Sequence, residues 1–513
     1  MKPELPPPIP RSLWRRIVVG IVLALIIVLL IPIGIYFYGK HHWEAVQAGL
    51  RENGEKLTPQ EMIRPSVPVA DNFFADPLWD ELKNLNDSKA DEESTGWDRL
   101  NPPVLSEEKQ RLRAKYPEIV WPGKDDKRNT VILTAWNKKP ENVSPEQLKR
   151  ITDFVGEAMI PAEPFLSKLS ELSKRPAACY PLKFEDGVSM RVPHLKYLLL
   201  AGQLMSMKAR TAIALGNGSE AFEDVLDILS LSDRLKDEPV LISYLVRISL
   251  MGIAVDAVAS GLKTHVWNDG QLQAFDQLFA PFDFLPELTN ALRGERVCFN
   301  ATVESMRKGE IEAFAAPLGG GRSAKTGTVK VAFQIWYGLI GQFDQTTYNS
   351  LLQELIEELK MAPASGLPVE LLTKQKVMDL EGNFLGKGFH VLTLLSMSSM
   401  FGSEARMAET QDRVLMARLA CALERYWLKN EQYPESLDLI APQYLPKLPI
   451  DAVDLKPFKY RLQSPQEYLL YSIGIDHKDD KGEAAYKSDP GDWVWGKFGM
   501  VRRVSAAGKA EQK

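Results

Sequence analysis

VLISYLVRISLMGIAVDAVASGL, Val240 to Leu262, is apolar almost all the way round, and at about 1.5 Å per residue it is long enough to cross a bilayer. Two charges argue against that reading. Arg247 and Asp256 would each cost about 2.5–3.5 kcal/mol near a bilayer centre, whereas a helix apolar around its whole circumference also suits the middle of a helical bundle. The stretch is therefore expected to be the buried central helix of an α-helical domain.

The residues on either side supply its shell. Ser144-Pro145-Glu146-Gln147 carries a helix-start pattern, in which Ser144 caps, Pro145 suits the first turn and Gln147 reaches back, with Leu148, Ile151 and Val155 following at helical spacing. A second helix is expected from about Pro193, with His194 at its start, to Leu215. It should stop at Gly216-Asn217-Gly218, after which Ser219 is expected to cap a third helix carrying Phe222, Val225, Leu226 and Leu229. The two form an antiparallel hairpin that resembles one helical pair of a tetratricopeptide-type repeat, over that hairpin alone, so a bundle and a short solenoid both fit. Amphipathic helices follow near Leu272 to Phe279, Pro286 to Met306 and Gln342 to Lys360. The helical domain is placed at 141–400, with Leu226, Leu229, Leu245 and Val246 in its core. Gly319 to Thr326 has the look of a phosphate loop but lacks a glycine before Lys325 and a preceding strand, and it reads as a linker.

Upstream, the 22 uncharged residues of 17–38 would make a helix about 33 Å long, a match for a hydrocarbon core of about 30 Å. They are followed by Tyr36-Phe37-Tyr38-Gly39-Lys40 rather than by a small-residue cleavage site, which favours a retained anchor over a signal peptide. Lys2, Arg11, Arg15 and Arg16 against Glu4 put the 1–16 tail in the cytoplasm and the bulk of the chain in a bacterial periplasm. The partner of 17–38 is then the lipid bilayer. Residues 39–140 are rich in proline and read as a stalk with an irregular subdomain, whose Asn72-Phe73-Phe74, Trp97, Trp121 and Trp136 either pin it to a neighbouring core or line a groove.

The chain has 513 residues, a net charge of -5 and 25% charged residues, a globular balance that argues against nucleic acid as a partner. Cys179, Cys298 and Cys421 stand more than a hundred residues apart, so no metal-ligand spacing occurs and at most one disulfide can form. The six histidines are scattered, and HExxH and GxSxG are absent, leaving the usual hydrolase templates without an anchor. Arg293, Glu295 and Arg296 would clamp an acidic ligand or, as the better reading, form an internal ion-pair network.

From Ser403 a long helix is expected, with Leu415, Leu419, Ala422 and Tyr426 forming one apolar stripe that must pack on a small sheet. Asn430-Glu431-Gln432-Tyr433-Pro434 ends it, Ser436-Leu437 opens a short helix, Leu448-Pro449-Ile450-Asp451 follows, and strands are expected at Phe458–Leu462, Tyr468–Ile473 and Trp493–Trp495. With Tyr471-Ser472-Ile473-Gly474-Ile475-Asp476 and Asp492-Trp493, these segments resemble the globular half of the major pseudopilin of type II secretion systems. The likeness covers about a fifth of the chain, at 401–498, with 499–513 as a tail. It departs from that family in having no apolar helix directly before the module, and no glutamate in its membrane segment, so pilin-like processing and polymerisation are not expected. The whole chain also resembles a group of uncharacterised bacterial membrane-anchored proteins.

The resemblance implies a calcium ion in the acidic loop, held by Asp476, Asp489 and Asp492; the alternative is a solvated hairpin whose lysines offset the acids. The fold class expected is mainly α, with an N-terminal transmembrane helix, an irregular stalk, a helical bundle or short solenoid, and a C-terminal α+β pseudopilin-like module. The function expected is an envelope interaction or scaffold protein with protein partners. The alternative is a periplasm-facing hydrolase using a cleft between the helical and proline-rich regions.

Overall fold

A computed structural model describes residues 11–79, 145–308, 327–383, 389–483 and 491–496, with a few single positions left out. Ser144, Trp97, Trp121, Trp136 and the 319–326 stretch lie outside these residues, as does Asp489. The chain is mainly helical with one small antiparallel sheet. Among the described residues the helices are α1 (Arg11–Glu52), α2 (Pro145–Met159), α3 (Glu163–Leu172), α4 (His194–Ala214), α5 (Gly218–Asp233), α6 (Leu241–Leu262), α7 (Asp269–Phe279), α8 (Phe284–Lys308), α9 (Gly327–Ser365), α10 (Leu372–Gly382), α11 (Val391–Met400) and α12 (Ser403–Asn430).

The Val240 stretch is α6, and it is the hub: α4, α5, α8 and α12 all pack on it. Leu250, Met251, Ala254, Val255, Ala257 and Val258 are fully buried. Its two charges are each paired with a different neighbour. Arg247, 1% exposed, donates from Nε and Nη2 to the two carboxylate oxygens of Glu287 on α8, at 2.5 and 2.9 Å, and from Nη1 to the Ser232 carbonyl of α5 at 2.8 Å. Phe282 and Phe284 flank its guanidinium. Asp256 accepts from Arg413 Nη2 of α12 at 2.5 Å. At the other end, Glu295 of α8 accepts the Leu241 N–H at 2.9 Å and so caps α6. Backbones approach closely there, since a Cβ at Gly294 would lie 1.5 Å from the Pro239 carbonyl oxygen.

The α4–α5 hairpin forms as expected, but its cap differs. Gly216 takes φ +73 and stops α4; Asn217, in a non-helical conformation, accepts the Glu220 N–H at 3.3 Å, which puts Ser219 inside α5 instead of at its cap. Leu229 and Val246 are buried, while Leu226 and Leu245 are half-buried at the edge of the core. Helix α9 is longer than the periodicity of 342–360 indicates, because its start from Gly327 continues the same helix upstream.

Two long-range pins attach the N-terminal part. Phe73, Phe74 and Trp79 are buried against Tyr180 and His194, and the Asn72 side chain pairs with the Cys179 backbone through bonds of 2.8 and 3.1 Å, so this aromatic element packs and does not line a groove. Just past α1, Glu55 accepts from Arg293 Nε at 3.0 Å and from the fully buried Arg296 at 2.6 Å, while Arg296 also donates to Gln353 of α9. Arg293 and Arg296 thus form an internal network, with Glu295 separately engaged at the α6 cap. Gly39 sits against Gln342 and Phe343, and Glu55 lies near Gln353, so α1 and α9 run side by side and parallel. All three cysteines are free, with Cys298 and Cys421 buried.

Removing one member of a buried ion pair strands the other charge, which typically costs about 3–5 kcal/mol, a large share of a native stability of about 5–15 kcal/mol. Arg247→Ala is therefore expected to lower stability by about 3–5 kcal/mol in urea unfolding of the purified chain. The double change Arg247→Met with Glu287→Leu should recover most of that loss. A mild Arg247→Ala effect would mean that Glu287 is well solvated.

Candidate functional site at the joint of helices and sheet

Helix α12 has two apolar faces, and each belongs to a different core. Met407, Ala408, Val414, Ala417, Ala420 and Cys421 are buried in the helical body. Met416, Leu419, Ala422 and Leu423, with Leu415 and Tyr426 at the margin, bury the other face against Tyr433, Ile440, Leu445, Phe458 and Leu470. The stripe read from the sequence is the second face, and it packs on a sheet as expected. That sheet has strands β1 (Lys459–Ser464), β2 (Glu467–Ser472) and β3 (Trp493–Val494), all antiparallel in the order β1-β2-β3.

Helix α12 is fastened to the body by charges at helical spacing. Arg413 meets Asp256, Arg418 donates to Asp276 at 2.7 Å, and Arg425 donates to Asp269 at 2.8 Å, the last two seven residues apart on both α12 and α7. Asp269 is well exposed, so that pair contributes little; the more enclosed Arg418–Asp276 pair contributes more.

At the centre of the joint lies a carboxyl pair. Asp412 of α12, fully buried, accepts the Ala452 N–H at 2.7 Å and the Ser472 hydroxyl of β2 at 2.9 Å, with the Asp451 carboxyl as its neighbour. Asp451 in turn accepts the Val453 N–H at 2.7 Å. Burial, and next the neighbouring Asp451, push the Asp412 carboxyl well above its ordinary range, because two carboxylates cannot both stay charged in a dry site. The Asp412 carboxyl thus ties helix, Leu-Pro segment and strand together through Ala452 and Ser472. Sequence reasoning quoted Asp451 but missed Asp412, whose only signal is a lone acid among the buried small residues of its helix face.

Two histidines also meet acids. His194 Nε2 lies 3.0 Å from Glu238, which accepts the Ser243 hydroxyl at 2.8 Å; both ring and carboxylate are buried. His265, at φ +51, places Nδ1 2.7 Å from Glu424 and stacks on Trp427, and Glu424 accepts the Tyr433 hydroxyl at 2.9 Å. Among the described residues neither ring is hydrogen-bonded to a serine, threonine or cysteine.

The acidic loop is only partly described. Asp492, 1% exposed, accepts the Asp480 N–H at 3.2 Å through one oxygen and the Gly482 N–H at 2.7 Å through the other, folding the loop back on itself. Asp476 accepts the Lys478 N–H at 3.1 Å, and Asp479 accepts the Tyr471 hydroxyl and the Lys481 N–H. Among the described residues no three His, Cys, Asp or Glu side chains converge as a metal requires. No family model, curated protein or solved structure matches this chain.

A group whose pKa is raised in the folded state lends stability below its unfolded value, about 4 for Asp, and that contribution is lost as pH rises through the folded value. Asp412→Asn places a neutral group at the same position and needs no proton. Melting curves from pH 5 to 9 should therefore fall less steeply for Asp412→Asn than for the parent chain. Parallel curves would show that the pair is not protonated.

Proposed function

We propose that this chain is a membrane-anchored scaffold of the bacterial envelope, with α1 as its anchor and the helical body and sheet held outside to meet protein partners. The supporting observation is α1 itself. It is one continuous helix from Arg11 to Glu52, and along it Val19, Val22, Leu30, Ile31, Ile33, Phe37 and Tyr38 are exposed, which is costly in water and favourable in lipid. Its C-terminal end is buried at Leu50 and locked by the Glu55 network, so the apolar length has a rigid root. The aromatic run Tyr36-Phe37-Tyr38 falls where an interfacial belt would sit, with Tyr38 stacked on Phe343 of the parallel α9.

The body supports a scaffold role through its connectedness. One continuous core reaches from Phe73 to Val453, and α12 carries it into the sheet, so a load on the sheet is passed to the anchor through packed helices. The likeness of the sheet module to the major pseudopilin favours a partner in secretion or envelope organisation. A calcium ion in the 476–492 loop, held by Asp476, Asp489 and Asp492, belongs to the same proposal, and the loop already folds back on the Asp492 carboxylate.

A reporter fused after Met500 should be active on the periplasmic side, and one fused before Ser12 in the cytoplasm, because Arg15 and Arg16 resist translocation. A cytoplasmic signal from Met500 would reverse the orientation, and release of the chain by carbonate washing would remove the anchor. The calcium element is tested separately, by melting the full chain in millimolar calcium and in chelator. A higher melting temperature in calcium that disappears in Asp476→Ala with Asp489→Ala is the expected result; identical curves for the parent chain would leave the loop a self-bonded hairpin.

A further inference from the structure

Helix α1 has company where it leaves the body. Gly39 packs so tightly on α9 that a Cβ there would lie 2.7 Å from the Phe343 ring, and Tyr38 stacks on the same ring. Upstream of Gly39 the cover continues along one face. Pro32 and Ile35 are half-buried, whereas Ile31, Ile33, Tyr36 and Phe37 between and beside them are exposed. Spacings of three and four residues place Pro32, Ile35 and Gly39 above one another on the helix, so the face that meets α9 at Gly39 is the face that stays covered.

The two helices run in the same direction, with Gly39 at the level of Phe343 and Glu55 near Gln353. The turns of α9 before Phe343 therefore lie beside the apolar length of α1. Seven residues separate Pro32 from Gly39, about 10 Å of helix, which brings the contact back to about Trp336 on α9. Other neighbours of α9 stop near this level. Helix α8 runs antiparallel to it, joining Arg296 to Gln353 and Asn300 to Asn349, so its last residue, Lys308, falls near Gly341. Helix α11 begins where Asp344 accepts the Leu392 N–H and runs the opposite way, reaching Met400 beside Tyr348. Past these ends α1 is the neighbour that continues.

We propose that the start of α9 enters the outer half of the bilayer alongside α1, so that the membrane element is a parallel helix pair surrounded by acyl chains. This rests on α1 being the anchor. Residues 331–341, VAFQIWYGLIG, carry no charge. Val331, Phe333, Ile335 and Leu339 each gain about 1.5–3 kcal/mol when taken out of water, together more than the roughly 2.5–3.5 kcal/mol that Lys330 would cost near the bilayer centre. Gly39 suits the same setting, because helices in lipid are held by close packing, and small residues let their backbones approach.

The test labels the purified full chain in phospholipid vesicles with a carbene precursor dissolved in the acyl phase, with glutathione scavenging reagent in the water, and locates the adducts by peptide mapping. Adducts are expected in 17–38 and, at comparable yield, in 331–341. Glu354, Glu357 and Lys360, exposed further along the same α9, supply the aqueous reference and should be labelled severalfold less. A 331–341 yield no higher than that reference, with 17–38 labelled, overturns the pair and leaves the anchor standing. Labelling of neither segment removes the anchor and the pair with it.

Discussion

An apolar helix carrying one arginine and one aspartate sits in the middle of this protein because each charge finds its partner on a different neighbour. The apolar circumference of α6 would accept many rotations and slides with similar burial, since hydrophobic contact is non-directional. The bidentate Arg247–Glu287 contact and the Asp256–Arg413 contact have strict geometry, and they leave one arrangement of α8 and α12 in which both charges of α6 are satisfied. Capping of α6 by Glu295 and the close passage of Gly294 beneath Pro239 set the remaining freedom along the axis. We hold that these polar contacts mainly provide uniqueness, while the surrounding aliphatic burial provides most of the stability.

The same reasoning extends to the sheet. Three short strands, the last of two residues, form too small a layer to be stable alone, and α12 supplies the surface they need. Because the opposite face of α12 is built into the helical body, the sheet and the body share a structural element and not merely a linker. Asp412 closes that joint through Ala452 and Ser472, and Asp492 closes the acidic loop with two amides. In both places a buried carboxyl group holds backbone amides.

Much of the architecture is legible locally. The length and composition of Val240 to Leu262, the Gly216 stop, the Ser403 start, the Leu415–Leu419–Ala422–Tyr426 stripe and the three strands all depend on nearest-neighbour preferences and on periods of 3.6 or 2, which a linear reading captures. The cap of α5 was missed because Asn217 and Ser219 are both good capping residues, and the choice between them rests on which one leaves helical geometry.

What the sequence by itself determined is the set of elements: which stretches are helix, which helix is buried, and which apolar segment is long enough for a membrane. What only the tertiary structure decided is which charges meet. Glu55 and Arg296 are 241 positions apart and Asp256 and Arg413 are 157 apart, and neither pair leaves any periodic trace along the chain. The two faces of α12 and the meeting of Asp412 with Ala452 and Ser472 arise in the same way. They depend on how helices pack after they have formed, and packing brings together residues that no local preference links.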